Sequence, residues 1–510
     1  MKSSSLVPPT LAYDIRFRGT LCGTSWARLL PGAEPVIECA QRMEDVPAIG
    51  LRKSQKRSLH RFTAAGRPLG GWIEDSFGNR VEYGPVDDVD LVLEANMFPL
   101  TACLLKFFHG IGGGRYRALL PETGETIPYT LSARDGGLES SLGERIILGA
   151  DGLIAAVSFP TAEFAVERSI RRFPAWRSGK TVRRGYQPPA DLLVEEVSAD
   201  GVSATCVRAA QPKAVAVFVG GTGVYDRHGF TARLDLGYHR ILDELARLGV
   251  ASVRYERLDR PCASLAEAET RLDFDTLCDG AGRWLDWLGR QHWCTGLPKI
   301  VIGHSLGGLV ALALASQRED IDGAVLLSTP GRPFRRILAE QNDWLHAQLG
   351  LSEQSTADAD ALHQALIGAL EQDAPWSEDT VDPRLLPWKR QQRLYRSILD
   401  LDPCDFVRVG RCPLLLVHGG KDVQVPLQDA RSILLAAHAV GRHATLAEQP
   451  ELDHLLRRST SQGLAALATY SDRRRRVPAR VLKQIAAWAC RDNGDKSGTP
   501  GPGISRNDGE

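Results

Sequence analysis

The stretch Lys299-Ile300-Val301-Ile302-Gly303-His304-Ser305-Leu306-Gly307-Gly308 decides how the second part of this chain is read. A short β-branched run enters a glycine, and Leu309 to Ala315 then continue without a polar residue. The first part reads as a buried strand and the second as a buried helix, with a serine on the turn between them. In the pattern G-x-S-x-G the serine backbone is strained, and its neighbours two residues away must lack side chains for the chain to pack closely. Such a turn lifts the hydroxyl above a sheet and sets it at a helix N-terminus, where the dipole favours negative charge. The alternative is a glycine-rich helix start without chemistry, since the bare pattern is common. The strand before it and the helix after it favour the catalytic reading of Ser305.

Working outward, strands alternate with helices from about residue 190. The hairpin Leu192 to Val197 and Val202 to Val207 leads in. Strands follow at Ala214 to Val219, Ala251 to Tyr255, Ala324 to Leu327, Leu414 to Val417 and Thr445 to Ala447. Helices are expected at Leu234 to Leu248, Phe274 to Leu288 and Leu427 to Ala439. This rhythm predicts an α/β class with a doubly wound, mostly parallel sheet, whose ligands bind beyond the carboxyl ends of the strands. Residues 330–405 break the alternation with helical stretches only, as a lid would. Trp344, Trp376 and Trp388 in it serve either an apolar ligand or the lid's own small core. Before residue 190, β-favouring runs at Tyr13 to Arg18, Asp90 to Glu94, Arg115 to Leu120, Thr126 to Leu131, Arg145 to Leu148 and Leu153 to Phe159 alternate with Gly, Asp and Pro turns. They predict a mostly antiparallel β domain. The expected division is 1–189, 190–490 and a disordered tail 491–510, with a linker at Arg168 to Pro189.

A serine needs a base, and the base needs an acid to fix its tautomer. The strand Leu414 to Val417 runs into His418-Gly419-Gly420-Lys421-Asp422-Val423-Gln424-Val425-Pro426, which puts Asp422 in a loop at a strand's carboxyl end. Its alternative is a plain carboxylate at a helix start. Of twelve histidines, His454 alone follows that acid and lies just beyond the last strand. Oxyanion donors are expected from the Leu306 N–H and the Thr222 N–H, the latter in Gly220-Gly221-Thr222-Gly223-Val224-Tyr225. Gly221, Tyr225 and His304 are candidate substrate contacts. A phosphate-binding loop is the rival reading, but neither G-x-x-x-x-G-K-[ST] nor G-x-G-x-x-G is present.

Composition narrows the classes further. Sixty-two basic residues cancel sixty-two acidic ones, which disfavours a nucleic-acid partner. The basic runs Arg52 to Arg61 and Arg473 to Arg476 read as solvated faces or loops. No stretch approaches the roughly 20 apolar residues of a membrane span, and the N-terminus lacks a signal-peptide core. Ten cysteines show no C-x-x-C pair and no Cys/His cluster at zinc-ligand spacing, so buried free thiols and a cytoplasmic location are expected. No metal or organic cofactor is implied, the expected partner is a small-molecule acyl substrate, and the oligomeric state is open.

Together these pieces resemble the α/β-hydrolase superfamily over about residues 190–490, with bacterial serine esterase- and peptidase-like members nearest. Their oxyanion loop reads H-G-S-G-P-x-D-R-D-G, their next strand ends R-Y-D and their acid loop reads G-x-x-D-x-x-V-P. The matching stretches are Gly220 to Gly229, Arg254-Tyr255-Glu256 and Gly419 to Pro426. The resemblance implies the triad Ser305, Asp422 and His454. The family's loop histidine is Gly220 here, its proline is Val224, and its R-G-x-G-x-S is replaced by Leu258 to Ser264. Residues 1–189 lie outside the resemblance. The implied activity is cleavage of a carboxylic ester or thioester through an acyl-serine. A serine peptidase, an acyltransferase or cyclase using the same acyl-enzyme, and a non-catalytic scaffold are the alternatives.

Overall fold

The computed structural model describes residues 10–46, 53–75, 80–95, 97–110, 112–159, 163–174, 185–223, 225–230, 234–257, 270–377 and 379–491. Residues 492–510 of the expected tail, residues 175–184 of the expected linker and the Leu258 to Ser264 segment lie outside them.

Among the described residues the first sheet has thirteen strands. They are β1 (Leu11–Phe17), β2 (Thr20–Leu30), β3 (Val36–Met43), β4 (Ser54–Phe62), β5 (Pro68–Asp75), β6 (Arg80–Tyr83) and β7 (Leu91–Val92). The second half holds β8 (Gly114–Leu120), β9 (Glu125–Arg134), β10 (Gly137–Ser140), β11 (Arg145–Leu148), β12 (Ile154–Phe159) and β13 (Phe164–Ser169). The order across it is β6-β5-β4-β3-β2-β1-β13-β12-β11-β10-β9-β8-β7, antiparallel throughout except for the short β7–β8 pair. Asp135 and Gly136 both have positive φ in the two-residue turn joining β9 to β10, the backbone twist that tight hairpins prefer. Helix α1 (Phe98–Leu104), buried at every residue, packs on β1, β2 and β3, with Phe98 against Phe159. The basic run at Arg52 to Arg61 differs from its expectation. Most of it is β4, whose Ser58 and His60 point inward to a buried carboxylate, Glu94, while Lys56 pairs with the same group.

The second sheet follows the sequence rhythm: β14 (Leu193–Ala199), β15 (Val202–Arg208), β16 (Ala214–Val219), β17 (Val250–Tyr255), β18 (Lys299–His304), β19 (Gly323–Leu327), β20 (Leu414–Gly419) and β21 (Ala444–Gln449). Its order is β14-β15-β17-β16-β18-β19-β20-β21, parallel from β17 onward. Along β16 the side chains alternate between two cores: Val215, Val217 and Val219 face one, Ala214, Ala216 and Phe218 the other. Both faces are covered, which is why the strand is apolar throughout. Helices α2 (Tyr238–Arg247), α3 (Phe274–Gly289) and α4 (Leu306–Gln317) supply the cover together with later ones. Trp284 on α3, fully buried, contributes about 2–3 kcal/mol by leaving water. Helix α4 is buried on all sides from Leu306 to Ala315, hence its lack of a polar stripe.

The insert comprises α5 (Phe334–Leu349), α6 (Glu353–Glu371), a 3₁₀ stretch (Pro383–Gln391), α7 (Gln392–Ile398) and α8 (Pro403–Val409). Beyond it lie α9 (Leu427–Ala439), α10 (Leu464–Ala468) and α11 (Ala479–Ala489). The insert shares a core with the first sheet: Leu366, Ile367, Leu370, Trp376, Leu385 and Leu386 pack in one cluster with Tyr13, Ile127, Leu131 and Val157. Arg390 pairs with Glu125 and donates to the Thr123 carbonyl at 2.8 Å, and Ser352 N–H donates to Glu163 at 2.7 Å. Of the three tryptophans, Trp376 is buried in that core, whereas Trp388 is half exposed. Among the described residues no helix is long and apolar enough to cross a membrane.

Candidate active site

Strand β18 delivers Ser305 to the edge of the sheet, and the hydroxyl-bearing residue has φ 53° and ψ −123°. A non-glycine residue at positive φ is strained, and the surroundings must hold it there. They do. Ser305 N–H donates to the Leu327 carbonyl at 2.8 Å, and its own carbonyl accepts from Gly308 N–H at 2.8 Å. The flanking glycines are forced by contact: a Cβ on Gly303 would lie 2.2 Å from the Gly307 carbonyl oxygen, and one on Gly307 would lie 2.1 Å from that of Val219.

Asp422 and His454 meet across the ends of β20 and β21. His454 Nδ1 is 2.7 Å from Asp422 Oδ2, and a buried carboxylate partner makes Nδ1 the protonated nitrogen. Nε2 then carries the free lone pair. Asp422 Oδ1 accepts from the Gln424 and Val425 N–H groups, each at 2.9 Å. Burial by itself would raise the Asp422 pKa, but the His454 charge and hydrogen bond, with His418 and the Val425 N–H, hold it below the usual carboxylate range. His418 lies beneath, its Nε2–H donating to the Val425 carbonyl at 2.9 Å. Among the described residues no hydrogen bond joins the Ser305 hydroxyl to His454.

The loop after β16 lies against the serine, since a Cβ on Gly221 would be 3.0 Å from Ser305 Cβ. Thr222 in that loop is exposed, and its N–H has no acceptor among the described residues. Leu306 N–H opens α4 and has no intrahelical acceptor. Tyr225 is buried, and its hydroxyl donates to the Gly221 carbonyl at 2.6 Å. His304 is buried with both ring nitrogens engaged. Its Nε2 faces the His454 carbonyl at 2.8 Å, and a carbonyl only accepts, so Nε2 carries the proton. Burial first, and the His454 charge second, push its pKa down to about 3, so the ring is neutral and Nδ1 accepts from the Tyr238 hydroxyl at 2.9 Å. That hydroxyl in turn accepts from Gly221 N–H at 3.1 Å. A single chain, Gly221 to Tyr238 to His304 to the His454 backbone, therefore joins the loop to His454.

Three supports were not read from the sequence. Tyr238 begins α2 and is one. Arg257 is another: its Nη1 donates to the Gly221 and Gly223 carbonyls at 2.8 and 2.9 Å, while the guanidinium covers the Tyr225 ring. Its place two residues past β17, at a carboxyl-terminal edge beside a glycine loop rich in bare carbonyls, was the available signal. The third is Arg475, within the run expected to be solvated. It bonds Asp453 Oδ2 at 2.5 Å, and Asp453 Oδ1 accepts from the Leu455 and Arg457 N–H groups, which ties the His454 loop.

Residues 216–467 match the family model described as "Alpha/beta hydrolase family". This part of the chain belongs to that family. The α/β-hydrolase domain is similar to esterase EstD of Thermotoga maritima, 24% identical over 188 residues, which is 37% of this chain and 42% of that protein. The chain thus spans less than half the length of that relative. Among solved structures, an esterase of Pyrococcus furiosus is 13% identical over 60% of this chain and 95% of its own, with TM-score 0.37. A dienelactone hydrolase of Anabaena variabilis is 16% identical over 58% and 96%, with TM-score 0.34. The family match ends short of the first sheet, which the α/β-hydrolase domain carries as a separate N-terminal unit.

Proposed function

We propose that the chain is a serine hydrolase that cleaves a carboxylic ester or thioester through an acyl intermediate on Ser305. The observation that carries this reading is a serine at positive φ on a strand-to-helix turn, in the same sheet edge as a His454–Asp422 pair whose free nitrogen is Nε2. His454 takes the Ser305 proton as the hydroxyl attacks the acyl carbon, then gives it to the leaving group. Asp422 keeps Nδ1 protonated and stabilises the imidazolium. Leu306 and Thr222 N–H groups receive the oxyanion, each donor being worth a few kcal/mol in the transition state. Water completes the cycle by the same proton route. The esterase relative supports an ester as substrate class. The helical insert serves as a lid, which is supported by the bond from Gln341 on α5 to the Gln424 carbonyl of the acid loop, 2.7 Å.

A fluorophosphonate probe and a series of p-nitrophenyl esters test the proposal. Wild type should be labelled and turn over esters, and Ser305→Ala should abolish labelling and lower kcat about 10³-fold or more with the fold intact. Unchanged turnover in that variant refutes the assignment. Preference for aminoacyl anilides would move the substrate class to peptides.

A further inference from the structure

The insert brings together a set of side chains that the hydrolytic reading does not use. Asp343 and His346 lie one turn apart on α5 and Asp360 lies on the neighbouring α6, and one ligand atom from each falls within 4.8 Å of the others. His363 follows one turn after Asp360, so Asp-x-x-His occurs on both of two helices packed on each other. Residues three apart share a helix face, so the two pairs can address one point between the helices. The sequence shows no Cys/His cluster at zinc-ligand spacing because the four residues are split between two elements.

His346 points to a missing partner. Its side chain is 10% exposed, Nδ1 sits 3.6 Å from Asp360 Oδ1, and Nε2 is buried with no hydrogen-bond partner among the described residues. The Nδ1 that faces Asp360 lies too far from it for a hydrogen bond, so with the proton on Nε2 the Nδ1 lone pair is the one a cation between the two residues would take. His363 stands one turn beyond Asp360 on α6 and is partly buried, so it is placed on the same helix face as that carboxylate. Asn342 already steadies Asp360 by donating to Oδ1 at 2.7 Å.

We propose that Asp343, His346, Asp360 and His363 form a site for a borderline divalent transition-metal ion such as Zn²⁺. Two imidazole nitrogens and two carboxylates suit zinc and its neighbours better than calcium or magnesium, which prefer all-oxygen shells. Metal bonds of about 2.0–2.2 Å require the ligand atoms to draw together, and Asp343 and Asp360 are exposed enough to do so by side-chain rotation. The ion would tie α5, which touches the acid loop through Gln341, to α6, which is embedded in the core of the first sheet.

Equilibrium dialysis of the full chain against Zn²⁺, with a Co²⁺ absorption spectrum, tests this. Wild type should hold one equivalent, with Co²⁺ bands free of thiolate charge transfer. His346→Ala/His363→Ala should lose it, and Asp343→Asn, an exposed change that leaves the fold alone, should weaken it at least about tenfold. Zinc should raise the Tm of wild type and not of the double variant. An absent equivalent in wild type, identical uptake by Asp343→Asn, or a thiolate spectrum from the ten cysteines overturns the proposal.

Discussion

Among the described residues, two buried histidine–carboxylate pairs lie within hydrogen-bond distance, one in each sheet's part of the molecule. In the first, His60 Nε2 lies 3.0 Å from Glu94, its Nδ1 bonds the Tyr83 hydroxyl at 2.7 Å, and the Ser58 hydroxyl bonds the same carboxylate. In the second, His454 Nδ1 lies 2.7 Å from Asp422, with Ser305 nearby. The residue types are nearly the same. What differs is the backbone. Ser58 and His60 alternate along one face of an ordinary antiparallel strand, and the serine spends its proton on the carboxylate. Ser305 stands on a strained turn at a strand end, beside two N–H groups with no acceptor among the described residues. A serine, a histidine and a carboxylate close together are thus ordinary core chemistry unless a strained turn keeps the hydroxyl off the carboxylate and leaves donors unspent.

The comparison breaks most sharply by removing each acid. Asp422→Asn should lower ester turnover about 10³-fold, because the amide favours the wrong His454 tautomer, while Glu94→Gln should leave turnover near wild type. Equal losses would make the first cluster part of the site.

Acid stability separates the pairs next. The Glu94 pKa is lowered to about 2: burial alone would raise it, and Lys56 and His60 outweigh that. Its stabilising share is full above the unfolded value of 4.5 and is lost as pH falls toward 2, on the order of 3 kcal/mol. His304 is held neutral to about pH 3, whereas the unfolded chain takes that proton below 6.5, so its share begins to go at higher pH. In acid titrations followed by denaturant melts, Glu94→Gln should flatten the limb below pH 4.5 and His304→Gln the limb starting at 6.5. Parallel curves for wild type and both variants would refute this division.

The smallest effect belongs to the brace. Tyr238→Phe removes the acceptor for Gly221 N–H and the donor to His304, and should cost about tenfold in kcat, roughly 1.4 kcal/mol, with little change in KM. A pure KM effect would place Tyr238 with substrate instead.

The parts legible in sequence are those with local causes. The run Ile300 to Ile302, the glycines around Ser305 and the strand-end positions of Asp422 and His454 follow from neighbours in the chain. Strand β4 escaped because its inward residues, Ser58 and His60, are polar, and the carboxylate that satisfies them comes from Glu94, far along the chain. Tyr238 and Arg257 escaped because a brace is defined by what it touches. The partner of Leu366 and Leu370 escaped for the same reason: an apolar helix face does not say which sheet it will meet.

That last seam governs how the protein must be made. The first sheet leaves the ribosome well before the stretch 330–405 that completes its core, so its apolar face waits uncovered through the synthesis of more than a hundred further residues. The halves therefore mature as one unit. A fragment cut near residue 190 from either side would carry half of a greasy joint into water, and separate expression of the hydrolase half would yield aggregate rather than a smaller enzyme.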